Sequence, residues 1–125
     1  MTDTGRDIAT DETDRLIASN KVEGTTVYNE DREKLGSIYN FMVDKRSGRV
    51  SYAVLQFGGL FGLGTDFYPL PWELLTYDTE QGGYVVDLEK SVLEKAPRYG
   101  GDEPRYDRAF DERVHGYYGL TYPIL

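Results

Sequence analysis

Val50–Trp72 reads VSYAVLQFGGLFGLGTDFYPLPW. Two runs rich in β-branched and aromatic residues, Val50–Phe57 and Thr65–Leu70, flank a glycine-rich loop whose tip carries Leu60, Phe61 and Leu63. Apolar runs of that length joined by such a linker are the mark of a hairpin inside a small all-β domain. Pro69 lacks the N–H a sheet ladder needs, so the second run belongs at a sheet edge or a bend, and Pro71-Trp72 forms a rigid corner behind it. The loop is a poor phosphate cradle: it lacks the G-x-G-x-x-G order, no Gly-Lys-Ser/Thr follows, and it precedes a strand. Its apolar tip either folds onto its own domain or serves as a contact surface.

Upstream, Lys34–Val43 is the next strand, with Ile38 and Met42 on one parity and Tyr39, Phe41 and Val43 on the other. Val50–Phe57 is likewise apolar on both parities. A strand with one wet face alternates more cleanly, so these two strands call for cover on the outside as well, from a tail, a helix or another chain. Between them, Asp44-Lys45-Arg46-Ser47-Gly48-Arg49 turns the chain, Asp44 offering its carboxylate to the turn amides and Gly48 free to take a positive φ. Thr25–Tyr28 is a shorter strand followed by turn residues Asn29-Glu30-Asp31. Residues 1–20 are polar and acidic and read as an N-terminal segment, partly disordered, with Leu16-Ile17 suited to docking on the domain.

Downstream, Trp72 is the only tryptophan and suits core packing better than ligand stacking. Leu74–Tyr77 and Tyr84–Leu88 read as strands joined by a turn over Asp78–Gly83. Ser91-Val92-Leu93-Glu94 has the pattern of a capping box and starts a short helix that Pro97 ends. The domain thus spans residues 21–97. Residues 98–125 form a linker and an apolar tail: Tyr106, Phe110 and Val114 recur at helical spacing, with a stop expected near Gly116. Tyr117–Leu125 is apolar enough to aggregate if left in water, so it is expected to pack on the barrel or on a second subunit.

The 125 residues suffice for one domain with a modest core. With 22 acidic against 14 basic side chains the net charge is −8, which disfavours nucleic acid and anionic membrane as main partners. The absence of cysteine removes disulfides, thiolate zinc sites and thiol catalysis. The N-terminus lacks the basic and apolar regions of a signal peptide, and no apolar run is long enough to span a membrane. These features point to a soluble cytoplasmic protein.

No catalytic constellation stands out. His115 is the only histidine and reads as a surface or tail residue. Asp11-Glu12-Thr13-Asp14 and Asp107, Asp111, Glu112 lack the order of a calcium loop and read as solvated charge. No metal, cofactor or catalytic residue is assigned. Lys45, Arg46 and Arg49 crowd one hairpin of an otherwise acidic chain, where they solubilise the turn or dock on an acidic partner patch.

Six segments together carry a family likeness: Gly24-x-x-Val27-Tyr28, Lys34-Leu35-Gly36-x-Ile38, Val43-Asp44 through Gly48 to Tyr52-Ala53-Val54, Phe57-Gly58-Gly59, Tyr68-Pro69-Leu70-Pro71-Trp72 and Tyr84-Val85-Val86-Asp87-Leu88. In this order the chain resembles the PRC-barrel family, in its free-standing bacterial form. That family is named after the cytoplasmic barrel of the photosynthetic reaction-centre H subunit, and a related barrel ends a bacterial ribosome-maturation factor. The resemblance implies a small, highly bent antiparallel barrel of about six strands, a short helix after the last one, and an extended or partly helical tail. Asp44, Gly48, Pro71 and Trp72 fall at its structural hallmarks. The shared theme it implies is docking onto other macromolecules, and fold alone does not fix function. Peripheral contact with a membrane complex is compatible with it.

The function expected is therefore a non-enzymatic interaction or assembly module, homodimeric by the commonest closed symmetry. Candidate interface residues are Phe57, Leu60, Phe61, Leu63, Tyr117, Tyr118, Leu120 and Tyr122. The alternative is a small-molecule sensor or carrier with a pocket at the barrel mouth lined by aromatic residues such as Trp72.

Overall fold

A computed structural model describes residues 16–58 and 65–121. Six strands form one sheet: β1 Thr26–Asn29, β2 Lys34–Val43, β3 Val50–Gly58, β4 Thr65–Pro71, β5 Thr76–Asp78 and β6 Gly83–Val86, in the spatial order β4-β3-β2-β1-β6-β5. Among the described residues three helices accompany them: α1 Ser19–Val22, α2 Lys90–Glu94 and α3 Arg108–Tyr117. A 3-10 turn over Trp72–Leu74 leads from β4 to β5. The two edge strands are joined by this turn and not by a ladder, so the curled sheet stays open along one seam.

Four of the five sheet pairings join strands consecutive in sequence and run antiparallel, because a short connection folds a strand back on its predecessor. The exception is β1 with β6, which run parallel through Val27↔Tyr84, Tyr28↔Val85 and Asn29↔Val86. The expectation of a wholly antiparallel barrel fails for this pair. No hairpin connects the first strand to the last, so nothing local dictates their relative direction.

Val27, Leu35, Ile38, Ala53, Leu55, Leu70 and Val86, from five strands, meet in one core with Leu93 and Ala96 from α2 and its end. That convergence requires the sheet to wrap around its own inner face. Each fully buried Leu, Ile or Val contributes about 1.5–3 kcal/mol from burial. Ile17 packs against this core, whereas its neighbour Leu16 is exposed.

The two-sided character of β3 has a direct cause. Ala53 and Leu55 face the core, and Tyr52, on the other parity, belongs to a second cluster with Phe110 and Val114 of α3, edged by Met42, Tyr106 and Tyr118. The outside cover called for by the pattern is thus the C-terminal helix of the chain itself. Asp107 caps α3 by accepting from the Phe110 N–H at 3.0 Å. The helix ends at Tyr117, one residue past Gly116, as expected. Gly119 takes φ 74°, and the Leu120 N–H reaches the His115 carbonyl at 2.8 Å while the Gly119 N–H reaches that of Gly116 at 3.1 Å. These two bonds are a Schellman closure, which needs a left-handed residue at Gly119 and none at Gly116.

In α2 the expected capping box is not used. The helix starts at Lys90, its N-cap Glu89 makes no side-chain cap bond, and Ser91 lies inside it. The first turn is closed instead by the backbone, with Val92 and Leu93 N–H groups both reaching the Glu89 carbonyl.

On β4, Phe67 exchanges backbone hydrogen bonds with Tyr99 at 2.8 and 3.0 Å on the side away from β3. Pro69 and Pro71 share the parity of Phe67, so the outward positions of this edge carry a paired amide and then two residues with no N–H.

Candidate functional site

The β2–β3 turn, the Trp72–Leu74 turn and α3 enclose a groove of about 630 Å³. Its long wall is the hairpin from Met42 to Tyr52, including Asp44, Lys45, Ser47 and Arg49; Trp72 and Glu73 form another side; Tyr106, Asp111 and His115 form the third. The volume lies within the range of small-molecule sites, about 300–1,000 Å³.

Asp44 sets the hairpin side. Its Oδ1 accepts from the Arg46 and Ser47 N–H groups at 2.8 Å each, and Gly48, at φ 77°, returns its N–H to the Asp44 carbonyl at 2.9 Å. The Ser47 and Arg46 amides, helped by the Ser47 hydroxyl and the Arg46 charge, hold the Asp44 carboxyl below its ordinary range. The turn thereby fixes where Lys45 and Arg49 leave the chain. Neither cation makes an ion pair among the described residues, where the side-chain pairs are Arg98–Asp66 and Arg108–Glu112.

The inner end is built by Tyr52, Asp111 and His115. The Tyr52 hydroxyl donates to Asp111 Oδ1 at 2.6 Å and lies 3.4 Å from His115 Nδ1. His115 Nδ1 lies 2.8 Å from the Asp111 carbonyl oxygen, and since that oxygen only accepts, the proton of a neutral ring belongs on Nδ1. Tyr52 and His115 are 3% and 5% exposed. His115 is therefore a buried member of the groove, not a surface or tail residue as its position suggested. A residue one place beyond Val114, and four beyond Asp111, sits beside the apolar stripe of the helix; that spacing was the signal available in the sequence.

Aromatic rings line the rest. Tyr52 lies 5.3 Å from Tyr106, tilted, and 5.5 Å from the His115 ring, edge-on. Burial raises the Tyr106 hydroxyl well above the usual tyrosine range; the Tyr99 hydroxyl is near enough to add to the effect but stands outside hydrogen-bond geometry. Trp72 is half-buried between groove and core, edge-on to Phe41 at 6.3 Å and to Tyr84 at 5.6 Å. Pro71 beside it is fully buried.

A second feature lies on the outer face of the sheet. Tyr39, the extra residue at an irregularity of β2, is 50% exposed and packs 4.7 Å from Phe67, which stacks on Tyr99 at 5.5 Å. The three rings form a partly exposed strip, and Tyr99 at its end also lines a hollow with Arg113 and Tyr117 of α3.

Of the candidate interface residues, Tyr117 is 39% exposed and its hydroxyl donates to the Val92 carbonyl at 2.5 Å, tying α3 to α2. Tyr118 is half-buried against both clusters, its hydroxyl raised far above the usual range by desolvation, and Leu120 is half-buried beyond the helix closure. Leu60, Phe61, Leu63 and Tyr122 lie outside the described residues, as does the side chain of Phe57. Lys45 and Arg49 meet at the groove, whereas Arg46 is not among its lining residues.

The six-stranded curled sheet with a helix after its last strand matches a family model described as the PRC-barrel domain, over residues 14–93. The chain belongs to the PRC-barrel family. No curated protein matches it. Among solved structures, this PRC barrel is similar to a Pseudomonas aeruginosa protein titled as the 16S ribosomal RNA processing protein RimM. The two share 19% identity and a TM-score of 0.40, over 62% of this chain and 48% of that one. The chain thus spans about half the length of that protein. Among the described residues of this PRC barrel, no helix is long and apolar enough to cross a membrane.

Proposed function

We propose that this PRC barrel is a non-enzymatic protein-interaction and assembly module that works as a homodimer in the cytoplasm. The observation that carries the reading is the Tyr39–Phe67–Tyr99 strip, held by ring contacts at 4.7 and 5.5 Å along β2, the edge strand β4 and the segment bridged to it. Aromatic side chains presented this way supply contact area at little entropic cost and are enriched where proteins meet. Membership of a family built around a docking barrel supports the same reading, and a twofold pairing is the commonest closed arrangement.

Light scattering at micromolar concentration tests the homodimer. A dimer that becomes monomeric in Tyr39→Ser/Phe67→Ser, with an unchanged melting curve, supports it; a monomeric parent protein overturns it. Capture of the tagged protein from soluble and membrane fractions of its host tests the wider role. One partner at near-equal amount, lost in the double variant, is the expected result.

A further inference from the structure

We propose that the groove between the β2–β3 hairpin and α3 binds a small amphoteric molecule, its organic cation placed inward against Asp111 and its carboxylate outward toward Lys45 and Arg49. The basic amino acid arginine has this chemistry. The inference uses none of the three rings of the aromatic strip, which are not among the residues lining the groove.

The inward end selects a cation. Asp111 spends Oδ1 on the Tyr52 hydroxyl at 2.6 Å, and its second oxygen has no hydrogen-bond partner among the described residues. Around it stand the rings of Tyr52 and Tyr106, whose negative faces attract an ammonium or guanidinium group, while the groove's two cations, Lys45 and Arg49, belong to the hairpin wall. A carboxylate already fixed by a short bond from a buried phenol costs little to organise further. It offers a guanidinium a charge-assisted bond in partly desolvated surroundings.

The outward end selects an anion. Lys45 and Arg49 line the groove where it opens between the turn and Trp72, with no ion pair to satisfy them among the described residues. Asp44, the nearest acid in sequence, has its Oδ1 committed to two turn amides. A chain of −8 net charge thus keeps two cations together at one mouth. The volume of about 630 Å³ accommodates a whole amino acid with water.

Free arginine and an arginine side chain of a partner protein share the inward chemistry. Calorimetric titration of the full chain with L-arginine, with agmatine (the same guanidinium without the carboxylate) and with Nα-acetyl-arginine methylamide separates the two. Tighter binding of L-arginine than of the other two assigns a free amino acid. Equal or tighter binding of the blocked form assigns a partner's side chain and withdraws the role of Lys45 and Arg49. Asp111→Asn weakens the inward contact by about tenfold or more, the loss expected for one charge-assisted bond. Asp102→Asn, an equal charge change outside the groove, leaves binding as it was. A melting curve and amide spectrum of each variant establish that it is folded, and Tyr106→Leu provides a second lesion of the same wall. No heat with any of the three ligands at millimolar concentration, an equal effect of Asp102→Asn, or equal binding of L-glutamate overturns the proposal.

Discussion

Tyr52 in the middle of the sheet donates to Asp111 on the C-terminal helix at 2.6 Å, across 59 positions of sequence. The bond joins sheet and helix at the point where α3 covers the outer face of β3. Tyr52→Phe removes the donor and leaves a partly buried carboxylate short of one partner, at a cost of about 1–3 kcal/mol. Urea denaturation measures the loss. Asp111→Asn, which keeps an acceptor for Tyr52, costs less in stability.

Phe110 and Val114 hold the same helix through burial. Phe110→Ala opens a cavity at the sheet–helix boundary and costs about 3–5 kcal/mol. Hydrogen exchange locates the effect: the amides of α3 lose protection first, while those of β1 and β6 keep theirs.

Gly116 and Gly119 respond with opposite signs. Gly116 is helical with open space where a Cβ would stand, so Gly116→Ala stabilises by about 0.5–1 kcal/mol. Gly119, at φ 74°, closes the helix in the left-handed region, so Gly119→Ala destabilises by about 1 kcal/mol or more. A pair of melting curves decides between this closure and one at Gly116.

Asp44 makes the β2–β3 turn sensitive to acid. Its folded-state carboxyl titrates below the ordinary 3.8, because the Ser47 and Arg46 amides bind the charged form. The stability it contributes is present above the unfolded value and is lost as pH falls through the lower, folded one. Carboxyl NMR titration reads the shift, and Asp44→Ala abolishes that part of the pH dependence while loosening the turn.

Alkali acts in the other direction. Burial raises the hydroxyls of Tyr68, Tyr84, Tyr99, Tyr106 and Tyr118 above the ordinary 10.0. The unfolded chain therefore releases these protons first, and stability falls as pH rises beyond about 10. The spectrophotometric tyrosine titration is accordingly cooperative with unfolding, and Tyr118→Phe reduces its steepness.

Much of the sheet was legible because strands announce themselves locally. The expected Lys34–Val43 strand matches β2, and Val50–Phe57 and Thr65–Leu70 each fall one residue short of β3 and β4. The mixed parity of β3 foretold a cover, and Tyr106, Phe110 and Val114 foretold the helix that supplies it. What stayed hidden depends on distant partners. The parallel β1–β6 pair joins strands with no short connection, the backbone exchange between Phe67 and Tyr99 lies beyond any local pattern, and the burial of His115 is decided by Tyr52, 63 positions away. The groove belongs to this hidden class, since it is created by the docking of α3 and exists in neither element alone. Ser91 misled for a different reason: it had a cap-forming neighbourhood, and the backbone closed the first turn through the Glu89 carbonyl instead.

The prolines of β4 limit the grammar of any association this molecule enters. A visiting strand needs a row of amide hydrogens to read, and along Phe67, Pro69 and Pro71 it finds one already answered and two missing. Fibre-like growth from this margin is disfavoured, because backbone addition there finds the proline carbonyls but no free donor at these positions. Recognition along it has to be written in side chains, so specificity can change by single substitutions without any shift of strand register.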